Sequence, residues 1–220
     1  SRGLGDVYKR QGLMGLNVAE CKIKKFGSVT AYMTKRFDRQ NTIQRIQQED
    51  FCQGLGLSNK KYQRTEGGPS IKQCFQFIHN NLANKAKDEL HFLKSIAFNF
   101  LIGNSDAHGK NFSYLHTANG YVLSPLYDLV STQVYPQLAK EMSMSIGGEY
   151  EPDRITRTNF MVMAKELGVK SQLINDILDK LAAEIIVQAE KLKEMTTTEK
   201  TYNPVYDKVI EVIKARVAQL

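Results

Sequence analysis

Ile102-Gly103-Asn104-Ser105-Asp106-Ala107-His108-Gly109-Lys110-Asn111-Phe112-Ser113 decides how this chain is read. Seven of these residues are polar or charged, yet the stretch lies between segments that look like core. A polar loop held on a rigid scaffold is where chemistry-bearing groups collect. Immediately before it, residues 88–102 carry Phe92, Ile96 and Phe100 flanked by Leu93 and Ala97. That wide apolar stripe predicts a buried central helix ending at Gly103-Asn104. Immediately after it, residues 112–116 and 121–124 alternate around Ala118-Asn119-Gly120, and Asn-Gly favours a tight hairpin turn.

Working outward, residues 19–36 predict another hairpin, turning at Phe26-Gly27. Residues 46–55 read as a short helix stopped by Gly54 and Gly56. Residues 58–70, with Gly67-Gly68-Pro69, read as a mobile loop. A helix over 71–83 follows, with Ile71, Phe75 and Ile78 on one face. Beyond 156 the chain reads as three helices, 158–167, 171–195 and 203–219, punctuated by Gly168 and Asn203-Pro204. No internal repeat or low-complexity tract appears.

The spacing inside the central loop points to phosphoryl transfer. Asp106 and Asn111 stand in the Asp-x-x-x-x-Asn arrangement of a protein-kinase catalytic loop. There the Asp accepts the proton of the attacking hydroxyl and the Asn binds magnesium. A second metal-binding Asp should follow a short hairpin, and Asp128 does, in Leu123-Ser-Pro-Leu-Tyr-Asp-Leu129. Magnesium takes hard oxygen ligands and keeps several waters, so one carboxylate and one amide oxygen beside phosphate oxygens suffice. His108 or Lys110 can supply the donor to the transferred phosphate, with His108 favoured by spacing. Each residue also has a plainer reading: Asp106 as a turn cap, His108 as a structural histidine, Asp128 as a helix cap. The ordered set favours function. His79, His91, His116 and Tyr127 fit structural roles, and there is no serine nucleophile elbow.

Composition narrows the classes further. At 220 residues, with 24% charged and 42% hydrophobic residues, the chain suits one soluble domain or a lobe plus an appendage. No apolar run approaches the ~20 residues of a membrane helix. Cys21, Cys52 and Cys74 are too far apart for a zinc knuckle and odd in number, so a reducing, cytoplasmic setting is expected. The net charge of +7 falls entirely within residues 1–66, and residues 67–220 balance. Lys22, Lys24 and Lys25 read as the solvent face of a strand, so direct nucleic-acid binding is not expected.

Taken together, KRFDR at 35–39, QQEDFCQGLGL at 47–57, EGGP at 66–69, IGNSDAHGKNFS at 102–113 and LSPLYDLVS at 123–131 resemble the HipA-type serine/threonine kinases. These are toxins of bacterial persistence-linked toxin–antitoxin modules, and the resemblance covers roughly residues 12–220. It implies an α+β, mainly α fold: a protein-kinase-like helical C-lobe with two small β-hairpins. It implies ATP and Mg2+ as cofactors, Asp106 as catalytic base, Asn111 and Asp128 as magnesium ligands, and His108 near the phosphates. Lys35, Arg36 and Phe37 match the hinge whose backbone meets adenine, although Glu is usual at the place of Lys35. Glu49 and Asp50 match a QED stretch expected to cap a helix. The implied partners are a protein hydroxyl substrate, of which an aminoacyl-tRNA synthetase is the known type, and a small HipB-like DNA-binding antitoxin.

The same resemblance predicts three parts: a tail over 1–11, a hinge-proximal hairpin over 12–40 and the helical lobe over 41–220. SRGLGDVYKRQ at 1–11 looks like translated sequencing-library residue or a short disordered tail. The glycine-containing phosphate loop and ATP-binding lysine of a kinase N-lobe find no match upstream of residue 12. The chain is therefore expected to be the hinge plus C-lobe, weak in transfer on its own, with an apolar patch on the hairpin. A small-molecule phosphotransferase and a non-catalytic protein-binding module remain the alternatives.

Overall fold

The computed structural model describes residues 15–27, 29–40, 44–58, 62–63, 66–198 and 202–220. The expected tail over 1–11 and the first residues of the 12–40 segment lie outside the described residues.

Strands β1 (Cys21–Phe26) and β2 (Val29–Thr34) form an antiparallel hairpin, with Phe26 opposite Val29 and Cys21 opposite Thr34. It attaches to the rest of the molecule through its N-terminal flank. Ala19 donates to the carbonyl of Leu126, and Leu126 donates to that of Asn17, at 2.8 and 2.9 Å.

The second sheet corrects the sequence reading. Residues 46–55 are not one helix. Gln48–Asp50 form β3, and only Phe51–Gly54 are helical (α1). Strand β3 pairs antiparallel with β4 (Ser113–Thr117), which pairs with β5 (Gly120–Leu123), giving a three-stranded sheet in place of a bare hairpin. Side chains explain the register: the Glu49 carboxylate accepts from the Tyr114 hydroxyl (2.5 Å) and lies 3.0 Å from His116 Nε2. Both groups hold that carboxylate below the usual range. Asp50 does cap α1, in a reciprocal capping box with Gln53.

Helices α2 (Ile71–Asn81) and α3 (Lys85–Leu101) follow, α2 opened by a Ser70–Gln73 capping box. The core is aromatic around Phe51, which is fully buried and packs against Phe77, Phe92, Phe112 and Tyr114. Buried Asp88 of α3 accepts from the backbone N–H of Leu123 at 3.3 Å, which fixes β5 against the helix. Helices α4 (Arg157–Leu167), α5 (Ser171–Thr198) and α6 (Val205–Ala218) complete the helical layer. Ile177, Leu178, Leu181 and Ile185 of α5 and Ile210 and Ile213 of α6 share the core with Ile96 and Phe100 of α3.

Candidate phosphotransfer site

Helix α3 sets the position of the central loop through a ladder of buried amides. Asn99 donates to the Ser95 carbonyl at 2.9 Å, and Asn104 donates to Asn99 Oδ1 at 2.8 Å. Asn104 Oδ1 then accepts the backbone N–H of Asp106 at 3.2 Å, and Asn104 Nδ2 also lies 3.3 Å from the carbonyl oxygen of Asp128. One amide, 1% exposed, thus ties the two acidic residues to the same rigid helix. The reversal off α3 requires Gly103, which has φ +68° and whose added Cβ would lie 2.5 Å from Val212 Cγ1 of α6.

Asp106 follows, its side chain half exposed. Burial raises its pKa and so does the Asp128 charge, while His108 opposes the rise. His108 Nε2 lies 3.8 Å from Asp106 Oδ1, an electrostatic neighbour beyond hydrogen-bond reach. Burial lowers the His108 pKa against the pull of Asp106 and Asp128. Its Nδ1 is buried with no hydrogen-bond partner among the described residues. Residues Gly109–Asn111 make one 3-10 turn, and Asn111 Nδ2 donates to the Asp106 carbonyl at 2.9 Å. That bond presents the amide oxygen, Oδ1, as the end available to a cation. Asp128 adopts φ +52°, the one non-glycine residue with positive φ among those described. Asp is among the few non-glycine residues that enter this left-handed region readily.

Tyr127 links the two halves. Its hydroxyl donates to the Lys110 carbonyl at 2.6 Å and sits 2.5 Å from Ser113 Oγ. Phe37 lies against the same ring, with centroids 5.7 Å apart. Of the expected hinge residues, Phe37 therefore reaches the site. Lys35 instead pairs with Glu20 at 3.1 Å, and Arg36 forks onto Asp38 at 2.8 and 2.6 Å.

The 58–70 segment is irregular among its described residues, as expected of a loop. What the sequence did not show is that Tyr62 and Pro69 of this loop pack on the candidate site. The backbone N–H groups of Glu66 and Gly68 both donate to the Gln63 carbonyl. Tyr62 packs edge-on against His108, with centroids 4.8 Å apart, and Lys110 Nζ sits 4.1 Å above the Tyr62 ring. Pro69 presses on Gly109, where an added Cβ would meet Pro69 Cγ at 2.4 Å. Sequence reasoning missed Asn99, Asn104 and Tyr62. Asn99 did carry a signal, an amide inside the most apolar helix.

No three His, Cys, Asp or Glu side chains cluster as a metal site among the described residues. A cation here would rest on one carboxylate, one amide oxygen and oxygens of a bound ligand, as magnesium does beside phosphates. The amide fixed through Nδ2 and Asp128, tied to the same helix through its carbonyl, fit such a ligand. No helix among the described residues is long and apolar enough to cross a membrane.

Known proteins resemble this chain over most of its length. The HipA-like C-terminal domain matches residues 7–189. The Sinorhizobium fredii protein Y4mE is 37% identical over 172 residues, covering 76% of this chain and 41% of its own. The serine/threonine-protein kinase toxin HipA of Shewanella oneidensis is 34% identical over 204 residues, covering 83% of this chain and 47% of its own. The chain thus spans less than half the length of these curated relatives. HipA of Shewanella oneidensis, solved with HipB and operator DNA, superposes with a TM-score of 0.85 and 27% identity over 99% of this chain and 54% of that one. The Helicobacter pylori proinflammatory kinase CtkA superposes with a TM-score of 0.64 at 14% identity, over 99% of this chain and 78% of that one, a likeness of fold alone.

Proposed function

Because this chain belongs to the HipA-like C-terminal domain family, whose relatives include a serine/threonine kinase toxin, we propose that it forms the catalytic lobe of an ATP-dependent protein kinase. The observation that carries the reading is the amide ladder from α3, which binds Asp106 and Asp128 through Asn104 while Asn111 bonds back to Asp106. In this reading the carboxylate of Asp106 takes up the proton of an acceptor hydroxyl as that oxygen bonds to the γ-phosphorus and ADP leaves. Asn111 Oδ1 and the Asp128 carboxylate would hold magnesium, which when bound neutralises charge on the phosphate oxygens. His108 and Lys110 flank the phosphate, held in place by Tyr62. Lys35 and Arg36 are engaged by carboxylates, so the hinge would contribute backbone to a bound nucleotide, with Phe37 packed on Tyr127 beside it in sequence.

The acceptor is a protein serine or threonine, and the HipB of the solved Shewanella oneidensis complex suggests a similar DNA-binding partner for the whole protein. A cytoplasmic location goes with both. The domain limits follow the same logic: a hinge-proximal hairpin over 12–40 and a lobe over 41–220. The lobe would hold the metal, but the residues that clamp the β- and γ-phosphates in a kinase have no counterpart among the described residues. Transfer by residues 1–220 alone is therefore expected to be negligible, since phosphoryl transfer depends on positioning and charge neutralisation.

The test is transfer of labelled γ-phosphate to cell-extract protein by the whole protein and its Asp106→Asn variant. An amide cannot take the proton, so the variant should lose at least ~100-fold in rate, on the scale of removing a key transition-state group. A variant that keeps near-parental transfer would remove Asp106 as the base. Label appearing in a small metabolite and not in protein would favour a small-molecule phosphotransferase.

A further inference from the structure

A cleft of about 320 Å3 opens beside Asp106. Gln63, Ser105, Leu138, Glu141 and Met142 line it together with Asp106, whereas Asn111, His108, Lys110 and Asp128 do not. Asp106 thus faces a cleft that the other candidate residues of its loop do not line.

The far wall of this cleft is bonded to the residue that precedes the base. Ser105 Oγ donates to the Lys140 carbonyl at 2.7 Å. Ser143 returns two bonds to the Ser105 carbonyl, from its N–H at 2.8 Å and its hydroxyl at 3.0 Å. Thr132 Oγ1 accepts the Ser105 N–H at 2.8 Å, and Gln133 Nε2 donates to Ser105 Oγ at 3.2 Å. Wall and base therefore keep a fixed spacing, as a site that must place an oxygen against a carboxylate requires. The wall is chemically mixed. Leu138 stands at the rim, 46% exposed, Met142 is buried in the floor, and Glu141 adds a carboxylate. A preformed cleft lined by apolar side chains with a few polar groups is the usual make-up of a binding site.

We propose that this cleft receives the phosphoryl acceptor, a serine or threonine in an extended segment whose adjacent side chain is aliphatic and seats on Leu138. The inference rests on the kinase reading of Asp106. It adds the substrate class: a hydroxyl flanked by an apolar residue, with an acidic neighbour disfavoured by Glu141 and by Asp106 itself. The volume admits an acceptor residue and one neighbouring side chain, not a folded surface.

Binding can be read on residues 1–220 without catalysis, by methyl NMR of leucine- and methionine-labelled protein. The probes are two capped hexapeptides, identical except that the central serine is flanked by leucines in one and by aspartates in the other. The leucine-flanked peptide should shift the Leu138 and Met142 methyl signals. The aspartate-flanked peptide, or the Leu138→Asp variant, should bind at least about tenfold more weakly, a difference well above the error of a titration. Leu138 is at the surface, so the variant should keep the parental spectrum elsewhere. Equal binding of both peptides, shifts confined to the β1–β2 hairpin, or no shift at millimolar peptide would each overturn the proposal. In the whole protein, Leu138→Asp should raise KM for a leucine-flanked acceptor and leave kcat near parental. Selective binding here with no transfer from ATP by the whole protein would sink the kinase reading and leave the peptide site standing. Transfer without flank selectivity would do the reverse.

Discussion

Asp38 shows how closely single charges are managed at the edge of the site. It is 7% exposed, and Arg36 grips both carboxylate oxygens while Arg39 adds a further contact to Oδ2 and its carbonyl. The bonds from Arg36, then the charges of both arginines, hold the Asp38 pKa below its ordinary value despite burial. A folded pKa below the unfolded one stabilises the native state above the ordinary carboxylate range of about 4, and that contribution is lost as pH falls through the folded value. Urea denaturation of the parent and of Asp38→Asn should therefore show a gap near neutrality that narrows as the pH drops below about 4. A gap independent of pH would mean that Asp38 acts through shape and not charge. The candidate base is shifted in the opposite sense, by burial and by Asp128. At this scale the sequence was readable where spacing is local. Asp106, His108, Lys110 and Asn111 fall within one loop, and Asp128 follows the hairpin. It was opaque for Lys35 and Arg36, whose partners Glu20 and Asp38 depend on how the chain turns.

Elements were legible in proportion to how local their causes are. Helix α3 announced itself through its apolar stripe, and the β4–β5 turn through Asn119-Gly120. Strand β3 did not, because Gln48–Asp50 become a strand only by meeting Tyr114 and His116, more than sixty residues later. The packing of Tyr62 and Pro69 on the site was hidden for the same reason: glycine and proline mark a turn, but not what the turn packs against. Helix α6 shows the reach of such contacts. Its Arg216 guanidinium is 7% exposed, donates twice to Gln133 Oε1 and once each to the Pro152 carbonyl, Gln219 and Asp153, and lies 5.8 Å from the Phe100 ring centroid. Gln133 in turn bonds Ser105, so the last helix braces the residue before the candidate base. Arg216→Met should cost about 2–3 kcal/mol of stability, on the scale of hydrogen bonds from a buried charged group. Chemical denaturation measures this directly, and a loss within about 0.5 kcal/mol, the range of ordinary surface changes, would show that the brace is ornamental to folding.

At the scale of the molecule, the β1–β2 hairpin exposes apolar side chains on one face. Phe26, Val29 and Met33 fall on one face by their register and are 51%, 60% and 38% exposed. Lys24 leans over the Phe26 ring at 5.0 Å without burying it. Apolar surface of this kind favours association, so residues 1–220 should sediment with a concentration-dependent mass. The double variant Phe26→Lys, Val29→Thr should sediment as a monomer over the same range. Concentration-independent behaviour of the parent would mean that the face is harmless in water. The family assignment belongs to this scale too, since it follows from five motifs in order and not from any one of them.

The central claim is that Asn111 and Asp128 converge on one cation beside Asp106. Paramagnetic broadening with manganese–ATP, read residue by residue on isotope-labelled chain, tests it most directly, and weak binding suffices for that signal. Asp128→Asn is the control, because asparagine tolerates the left-handed backbone seen at φ +52° and removes only the charge. Broadening should be centred on residues 106–111 and 128 and should be lost in Asp128→Asn while the rest of the spectrum stays put. Broadening centred elsewhere, or unchanged in that variant, would contradict the site.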